Sequence, residues 1–359
     1  METSTAFFGK VLQQFENRLP FVVYNKPNSE RLVGIFQQND ALHFVNDFTE
    51  TGFIFAPFNG DQIVLIPESK SEVVVIHFKI EALTPIPLPI SEILQSAEKA
   101  NFEDLVKKGI VAIGADVFSK VVLSRKEVVA LQNFDLLAIL KKLLNQYPAA
   151  FTYCFFHPQV GLWLGSFSEQ LLRMEAQHFQ TMAVAGTQPS HDNDMAWGNK
   201  ERAEQLFVTD FITKHLEDKV SEMKISEPYT LKAGSVMHIK TDIEGKLNAG
   251  LGLREMIEIL HPTPAVCGLP KAAARNFILQ YERYDREYYS GFFGELHKDF
   301  DTDSEATNLY VNLRCMQIKN EQAFIYVGGG ITRESVPAEE WQETVNKAQT
   351  MKRILEPEI

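Results

Sequence analysis

Short runs of β-branched and aromatic residues dominate the first 90 positions of the chain. Asn, Gly, Asp and Pro separate these runs, which is the punctuation expected between strands and turns. The runs are FVVYN, RLVGIFQQ, ALHFVN, GFIFAPF, QIVLIPE and EVVVIHFKI. Their spacing predicts that this part is mostly antiparallel sheet. A Pro-rich stretch at 83–90, LTPIPLPI, then predicts an extended connector.

After this point, helical periodicity and strand-like runs follow one another in blocks. Amphipathic spacing predicts helices at 91–109, 134–148, about 200–219, 253–260, 270–283 and 338–355. Apolar runs predict strands at 120–131, 183–187, 288–296, 308–318 and 322–330, and a hairpin at 151–166. Because strands and helices are segregated, the order favours an α+β fold over a doubly wound sheet.

The composition agrees with a globular chain. Its 359 residues allow one large or two ordinary domains, and 45% of them are hydrophobic against 23% charged. There are 26 Phe against 3 Trp and 10 Tyr, so much of the core consists of purely apolar rings. The three cysteines are far apart and form no CxxC or Cys/His spacing, which predicts reduced thiols instead of a zinc site or disulfides.

The net charge of −12 restricts the partners. An acidic chain repels phosphate backbones, so we expect no nucleic-acid binding, and no basic cluster is present to dock on an anionic membrane. The N-terminus lacks the pattern of a signal peptide, and no stretch approaches ~18 continuous apolar residues. We therefore expect a cytoplasmic protein. An anionic small substrate would need locally placed cations or a divalent metal ion.

Two predicted helices carry glutamates three residues apart, and residues at this spacing share a helical face. One helix has Glu201 and Glu204, and the other has Glu340 and Glu343. If the two faces met, their carboxylates would repel unless a cation such as Mg²⁺ lay between them. Spacing alone favours the plainer interpretation, since such pairs are usually solvated surface.

Five other features could serve chemistry, and each could also be purely structural. Consecutive glycines at 328–330 could offer backbone amides to an anion or form a tight strand-to-helix turn. Glu169 lies just past an apolar strand and a glycine, and the small residues at 185–187 form a strand end that leaves room for a ligand; each signal is weak alone. Lys120 begins an apolar strand, where a lysine is usually an edge residue, yet burial would lower its pKa and make it a base. His261 could cap a helix, contact a ligand or simply pack.

Taken in order, nine segments of the chain resemble the motifs of the chorismate-utilizing enzymes. This family includes isochorismate synthases, salicylate synthases, and the large subunits of anthranilate and aminodeoxychorismate synthases. The segments are KVVLSR, WLGSFSEQLL, AVAGT, KERAEQLFV, LHPTPAVCGLPK, YDREYYSGFFGEL, LYVNLRCMQI, VGGGI and EEWQETVNKAQTM. The resemblance covers roughly residues 105–355, and the first ~100 residues resemble the family only in kind.

The family resemblance implies a fold. It is a single large α+β domain in which two antiparallel sheets pack together and helices flank them, a four-layer α/β/β/α sandwich. Residues 1–104 would be a divergent, sheet-rich N-terminal part of this fold, and residues 105–359 the chorismate-binding catalytic region.

The resemblance also implies a role for each matching residue. Lys120 falls where the water-using members carry the lysine that activates water, and Glu169 falls on the general acid. The implied Mg²⁺ ligands are Glu204 and Glu343, with Glu201 and Glu340 as second carboxylates. The implied substrate-binding residues are Gly186, Thr187, His261, Arg314, Gly328, Gly330 and Lys347.

Three positions depart from the family pattern. Ser168 replaces the usual Pro before the acid, and Gln205 stands where many members have His. Ala185 replaces the lysine that some aminodeoxychorismate synthases use covalently, which weakens that assignment.

The resemblance therefore predicts a Mg²⁺-dependent isochorismate synthase, an isomerase that acts on chorismate as a monomer. A salicylate synthase is the close alternative, because it shares nearly all of these polar residues. An ammonia-using anthranilate or aminodeoxychorismate synthase subunit is less favoured, since Lys120 suits water. A non-catalytic chorismate-binding protein would be expected to lack one of these groups. Menaquinone and siderophore synthesis both begin with isochorismate, and the sequence does not choose between them.

Overall fold

The computed structural model describes residues 3–80, 96–189, 197–233 and 236–356. Its described part contains seven α-helices. They are α1 (Ser4–Glu16), α2 (Ser96–Gly114), α3 (Leu136–Gln146), α4 (Asn199–Leu216), α5 (Leu253–Leu260), α6 (Lys271–Tyr281) and α7 (Pro337–Leu355). A short 3₁₀ helix spans Glu68–Lys70. No helix in the described ranges is both long enough and apolar enough to cross a bilayer.

The strands divide between two antiparallel sheets. In chain order the strands are β1 (Phe21–Asn25), β2 (Arg31–Gln37), β3 (His43–Phe44), β4 (Gly52–Ala56), β5 (Val64–Pro67), β6 (Ser71–His77), β7 (Lys120–Ala130), β8 (Phe151–His157), β9 (Gly161–Phe167), β10 (Gln170–Glu175), β11 (His178–Pro189), β12 (Val220–Ile225), β13 (Tyr229–Ala233), β14 (Val236–Leu247), β15 (Gly268–Leu269), β16 (Phe292–Leu296), β17 (Thr307–Val311), β18 (Cys315–Lys319) and β19 (Gln322–Ile331).

The first sheet has the order β15-β7-β19-β18-β9-β8-β1-β2-β6. The second has the order β12-β14-β11-β10-β17-β16-β4-β5-β3, with β13 beside β14. N-terminal strands pair with later ones in both sheets: β1 pairs with β8, and β4 pairs with β16. The N-terminal part is therefore built into the same two sheets that carry the rest of the chain.

Strand β8 shows why the structure has four layers. All seven of its residues are buried, because both of its faces are covered. Phe151, Tyr153 and Phe155 pack between the two sheets, where aromatic rings from both sheets form the central core. Cys154 and Phe156 point the other way, into a core shared with α1, α3 and α7. The outer face of the second sheet is covered by α4 and α5. The α+β fold with two packed antiparallel sheets is thus confirmed.

Helix α3 follows directly from its sequence. Its apolar side chains recur every three or four residues, which places them on one buried face. Asp135 caps the helix by accepting a hydrogen bond from the Ala138 amide at 2.9 Å.

Helix α1 was not predicted, since the N-terminal part was expected to be mostly strand. Thr3 caps this helix, and Phe7, Phe8 and Val11 are its buried side chains. Their placement at i, i+1 and i+4 fits a helix that covers an apolar sheet. No strand was predicted for these residues either, and the cap at Thr3 was the signal in the sequence that could have indicated this helix.

The run at 308–318 is also not the single strand that was predicted. It forms β17 in the second sheet and β18 in the first, with a crossing at Asn312, Leu313 and Arg314. Arg314 adopts a φ of 47°, which turns the chain away from an extended path. Asn312 exchanges backbone hydrogen bonds with Ser290 and Gly291 across this break. The chain therefore passes between the sheets at this point.

The remaining predicted helices and strands are present, with ends shifted by a few residues. The helix predicted at 91–109 begins at Ser96 and ends at Gly114, and residues 91–95 lie outside the described part. The predicted connector at 83–90 also lies outside it.

Candidate active site

A cavity lies between the two sheets beside the crossing at 312–314. It is lined by β7 and β19 of the first sheet, β11 and β14 of the second, and helices α4 and α7. Among the described residues, nine of the predicted site residues line it: Lys120, Glu169, Gly186, Glu204, Arg314, Gly328, Gly330, Glu343 and Lys347. Segments more than 200 positions apart in sequence thus meet in one place.

Lys120 is the first residue of β7 and is 3% exposed. Gly330 of β19 leaves room for its side chain, because a Cβ there would lie 2.9 Å from Cε and 3.4 Å from Nζ of the lysine and would displace its head group. Burial is the main cause that lowers the pKa of Lys120; the nearby Glu204 opposes this shift and Lys347 reinforces it. A larger neutral fraction makes the amine a better base.

Glu169 follows β9 and is 8% exposed. Burial raises the pKa of its carboxyl to about 7, although the positive charges of Lys120 and Arg314 pull it downward. Its backbone carbonyl accepts a hydrogen bond from the Val311 amide at 3.0 Å, which ties the segment to β17. A carboxyl that retains its proton near neutral pH can act as a general acid.

Two further cations lie in the same cavity. Arg314 sits at the crossing between the sheets, with its guanidinium 5.5 Å from the Phe167 ring centroid, and burial lowers its pKa. Lys347 on α7 donates a hydrogen bond to the Gly328 carbonyl at 2.9 Å and forms an ion pair with Glu343 at 2.5 Å. These two residues provide positive charge for an anionic ligand.

The glycines at 328–330 do not form a strand-to-helix turn. They lie within β19 and pair with Ser124, Leu123 and Val122 of β7. A Cβ on Gly329 would be 3.3 Å from Glu340 Oε2 and 3.7 Å from Glu343 Oε1. The glycine run therefore lets carboxylates approach the backbone of β19.

The two glutamate pairs approach this cavity from different helices. Glu204 of α4 and Glu343 of α7 line it, and Glu340 is 3% exposed beside Gly329. Glu201 packs against Gly186, where a Cβ would lie 2.9 Å from the glutamate Cβ. Carboxylate oxygens are the donors that Mg²⁺ prefers. Within the described ranges, however, no three Asp, Glu, His or Cys side chains are close enough together to hold a metal ion.

Gly186 lies at a register shift in the pairing of β11 with β14. Its φ of 71° and its contact with Glu201 both exclude a side chain at this position. The neighbouring Thr187 belongs to β11, but its side chain lies outside the described residues.

His261 does not line the cavity. It ends α5 and packs edge-to-face on Phe292, with ring centroids 4.9 Å apart. Burial lowers the pKa of its imidazole to about 3. Of the interpretations left open for this residue, its surroundings support two: its backbone amide caps α5 by donating to the Ile257 carbonyl, and its ring packs on Phe292.

His238 was not predicted, yet it lines the cavity from β14. One ring nitrogen, Nδ1, is 2.9 Å from the Gly186 carbonyl oxygen, and burial lowers the pKa of the ring to about 4. The sequence shows no metal-ligand spacing around this residue. Only the pairing of β11 with β14 brings it to the site. Tyr289 and Ser290 also line the cavity without having been predicted.

Comparison with known proteins gives a consistent family. The family model described as "Chorismate binding enzyme" matches residues 70–356. The isochorismate synthase EntC of Escherichia coli K12 is 30% identical over 269 residues, which cover 72% of this chain and 67% of that protein. Anthranilate synthase component 1 of Aquifex aeolicus is 28% identical over 271 residues, 72% of this chain and 53% of that protein.

The fold agrees with these matches. The structure of MenF, the menaquinone-specific isochorismate synthase from Escherichia coli, superposes with a TM-score of 0.75 at 21% identity. It covers 94% of this chain and 89% of that one. Because the family model spans most of the sequence, this chain belongs to the chorismate binding enzyme family.

Proposed function

We propose that this protein is an isochorismate synthase, which converts chorismate to isochorismate. Water would add at C2 of the ring, and the C4 hydroxyl would leave as water, so the net reaction is an isomerisation. The observation that carries the proposal is the pairing of a buried lysine with a lowered pKa and a buried glutamate with a raised pKa in one cavity. The relatives named isochorismate synthase support the same assignment.

Lys120 and Glu169 would divide the proton transfers between them. Neutral Lys120 takes a proton from the water that attacks C2, and the protonated Glu169 gives its proton to the departing 4-hydroxyl. The two groups end in the opposite protonation states, and proton exchange with solvent restores them. General acid and general base catalysis each contribute ~10²–10⁴-fold in typical enzymes.

Arg314 and Lys347 would bind the substrate. Chorismate carries two carboxylates, so an acidic protein must provide cations at its site to bind the dianion. Lys347 is held in place by the Gly328 carbonyl, and the space that Gly330 leaves for the Lys120 side chain would allow this lysine to lie beside the substrate ring. Gly186 and Thr187 would line the ring from β11.

Glu201, Glu204, Glu340 and Glu343 would hold Mg²⁺. Their oxygen donors suit a hard divalent ion, and Gly329 leaves room for two of these carboxylates beside β19. When bound, Mg²⁺ would neutralise and orient the ring carboxylate of the substrate. The side chains must draw closer than they lie here to share one ion.

Salicylate synthase is the second candidate, because elimination of pyruvate from isochorismate could follow in the same cavity. An ammonia-using synthase is disfavoured by Lys120, which suits water activation, although an anthranilate synthase component is among the relatives. We also propose that residues 1–104 are the divergent part of the fold, that residues 105–359 form the catalytic region, and that the protein is a cytoplasmic monomer.

Product analysis tests the proposal. The purified protein is incubated with chorismate and Mg²⁺, with and without ammonium, and the products are separated. Isochorismate in equilibrium with chorismate is the expected result. Accumulating salicylate would replace the proposal with the second candidate, and an aminated product that requires ammonium would overturn both. Chorismate binding without any product would indicate a non-catalytic protein.

The pathway remains a separate question. EntC and MenF are both named isochorismate synthases, and MenF is described as menaquinone-specific. Menaquinone and siderophore synthesis need the same product from this reaction, so genomic neighbours are the observation that would distinguish them. Light scattering during gel filtration would test the proposed monomer.

A further inference from the structure

Strand β7 lies next to the edge of its sheet, and its outer neighbour β15 is only two residues long. Beyond β15, the Val122 amide donates to the Cys267 carbonyl at 2.8 Å. The next two backbone groups along this edge of β7 form hydrogen bonds with side chains instead of with a neighbouring strand. The Val122 carbonyl accepts from Arg286 Nη2 at 2.7 Å, and the Ser124 amide donates to Glu282 Oε1 at 2.7 Å. Arg286 and Glu282 thus take the place of the missing strand.

Arg286 uses its full donor capacity in this position. Its Nε donates to Glu282 Oε2 at 2.8 Å, and its Nη2 donates to Glu282 Oε1 at 2.6 Å. Its Nη1 donates to the Val266 carbonyl at 3.0 Å and to Ser290 Oγ at 3.2 Å. With the bond to Val122, these are five hydrogen bonds for five N–H groups.

The groups that Arg286 binds belong to three segments of the cavity wall. Val122, Val266 and Ser290 all line the cavity, whereas Arg286 does not. Resting on the function proposed above, we infer that Arg286, held by Glu282, is a positioning residue that fixes these three segments relative to Lys120. It touches neither the substrate nor the reacting atoms.

Only arginine fits this role. The guanidinium is planar, and its fork of donors reaches two backbone carbonyls while it stays paired with a carboxylate. It packs 4.4 Å from the Phe58 ring centroid, and its side chain is 2% exposed. Burial by itself would lower the pKa of Arg286, but the Glu282 carboxylate raises it above its ordinary value. The charge is therefore retained. Lysine would keep that charge but has three donors and no fork.

The Arg286→Lys variant tests the inference. We expect kcat for isochorismate formation to fall about 10²-fold, since a misplacement near 1 Å costs about that much. The dissociation constant for chorismate should stay within about twofold of the wild type, because the binding cations are untouched. A kcat within twofold of the wild type would overturn the inference. An equal loss in kcat and in binding would also overturn it, because that result describes general loosening.

A matched control separates positioning from stability. Glu295 belongs to another buried ion pair, with Lys26 at 2.7 Å, and it does not line the cavity. Glu295→Gln should lower the melting temperature and leave kcat within about twofold. A parallel loss of kcat in this control would attribute the effect of Arg286→Lys to stability and overturn the inference.

Hydrogen exchange tests the contacts without any enzymatic assay. In Arg286→Lys, amides of residues 120–124 should exchange at least about tenfold faster, and those of β8 should not change. If the wild type forms no isochorismate, the proposed function fails, and this measurement alone decides whether the contacts hold the wall. Unchanged exchange at 120–124 would overturn the inference.

Ser124→Ala serves if the lysine variant does not fold. It removes one hydroxyl that donates to Glu282 Oε1 at 2.9 Å and keeps the ion pair. We expect about a threefold loss of kcat together with faster exchange at 120–124. Wild-type values for both would overturn the inference.

Discussion

The protein buries two groups of charged side chains that differ in how their hydrogen bonds are satisfied. In the structural group, Glu295 accepts from Tyr24 Oη at 2.6 Å and the Phe300 amide at 2.9 Å through one oxygen. Its other oxygen accepts from Asn308 at 3.0 Å and pairs with Lys26 at 2.7 Å. The cavity group contains Lys120, Glu169 and Arg314. No described side chain forms an ion pair or hydrogen bond with the charged atoms of these three.

This difference shows that a raised pKa of a buried glutamate does not by itself identify an active site. Burial raises the pKa of both Glu169 and Glu295, although neighbouring cations oppose the shift in each case. Glu295 is nevertheless surrounded by fixed donors, whereas Glu169 faces a cavity. Buried polar groups are normally paired, so a buried acid that faces a cavity instead is available to a substrate.

The contrast between the two groups is tested most strongly at their lysines, Lys120 and Lys26. Lys120→Ala should reduce the rate of water addition by ~10³–10⁴-fold, because it removes the general base. Lys26→Met in the structural group should leave kcat within about threefold. Steady-state kinetics with chorismate measure both. Full activity in Lys120→Ala would remove this lysine from the mechanism.

Substitutions in the structural group should affect stability more than activity, which is the reverse of the effect expected for the cavity group. Glu295→Gln should lower the free energy of unfolding by about 3 kcal/mol, since it leaves Lys26 with one acidic partner fewer in a buried place. Urea unfolding measures the change, and Glu305→Gln, an exposed acid on the following loop, is the control. A loss below about 0.5 kcal/mol would show that the structural group is not the stabilising one.

The pH dependence of stability sharpens the contrast for Glu169. Its pKa is raised in the folded state to about 7 from an ordinary 4.5, so its contribution is fully present below pH 4.5 and is lost as the pH rises through 7. Glu169→Gln removes this titration. The change that it causes in the free energy of unfolding of the ligand-free protein should therefore be more favourable at pH 8 than at pH 4, by up to about 3 kcal/mol. Melting temperatures across this range measure it. A difference independent of pH would contradict the raised pKa.

The smallest expected effect concerns the proposed metal ligands. Glu343→Gln should weaken the apparent affinity for Mg²⁺ by about 10–100-fold, because a charged oxygen donor is lost. Glu339→Gln, an exposed glutamate on the same helix, should not change it. Isothermal titration with Mg²⁺ provides the measurement in the absence of turnover. Identical Mg²⁺ titrations for the two variants would exclude Glu343 from the metal site.

Much of the candidate site was predictable because its residues occur in ordered motifs. Lys120, Glu169 and Arg314 came from segments whose order resembles a family, and the structure brings them into one cavity. Single residues between the motifs were harder to assign. His238 reaches the site through strand pairing, and His261 packs on Phe292 although its motif suggested the ring pocket.

The blocks of helix and strand were predictable from the sequence. The prediction failed where one sequence pattern suits two different structures. The run at 308–318 has strand-like apolar residues on both sides of Asn312, Leu313 and Arg314, so nothing in its periodicity shows that Val311 and Cys315 belong to different sheets. The glycines at 328–330 lie in a paired strand, where Lys120 and Glu340 come close to the backbone and leave little room for side chains. A turn would also favour glycines, so the sequence could not distinguish the two structures.

The crossing at 312–314 has a consequence for anyone who wishes to change the product range of this protein. Asn312 accepts a hydrogen bond from Tyr153 Oη at 2.7 Å, deep in the aromatic layer between the sheets. The spacing of the sheets, and with it the width of the cavity beside Arg314, is thereby linked to the volume of rings such as Tyr153 that do not line the cavity. Libraries aimed at bulkier ring substituents should therefore vary the aromatic layer together with the cavity wall.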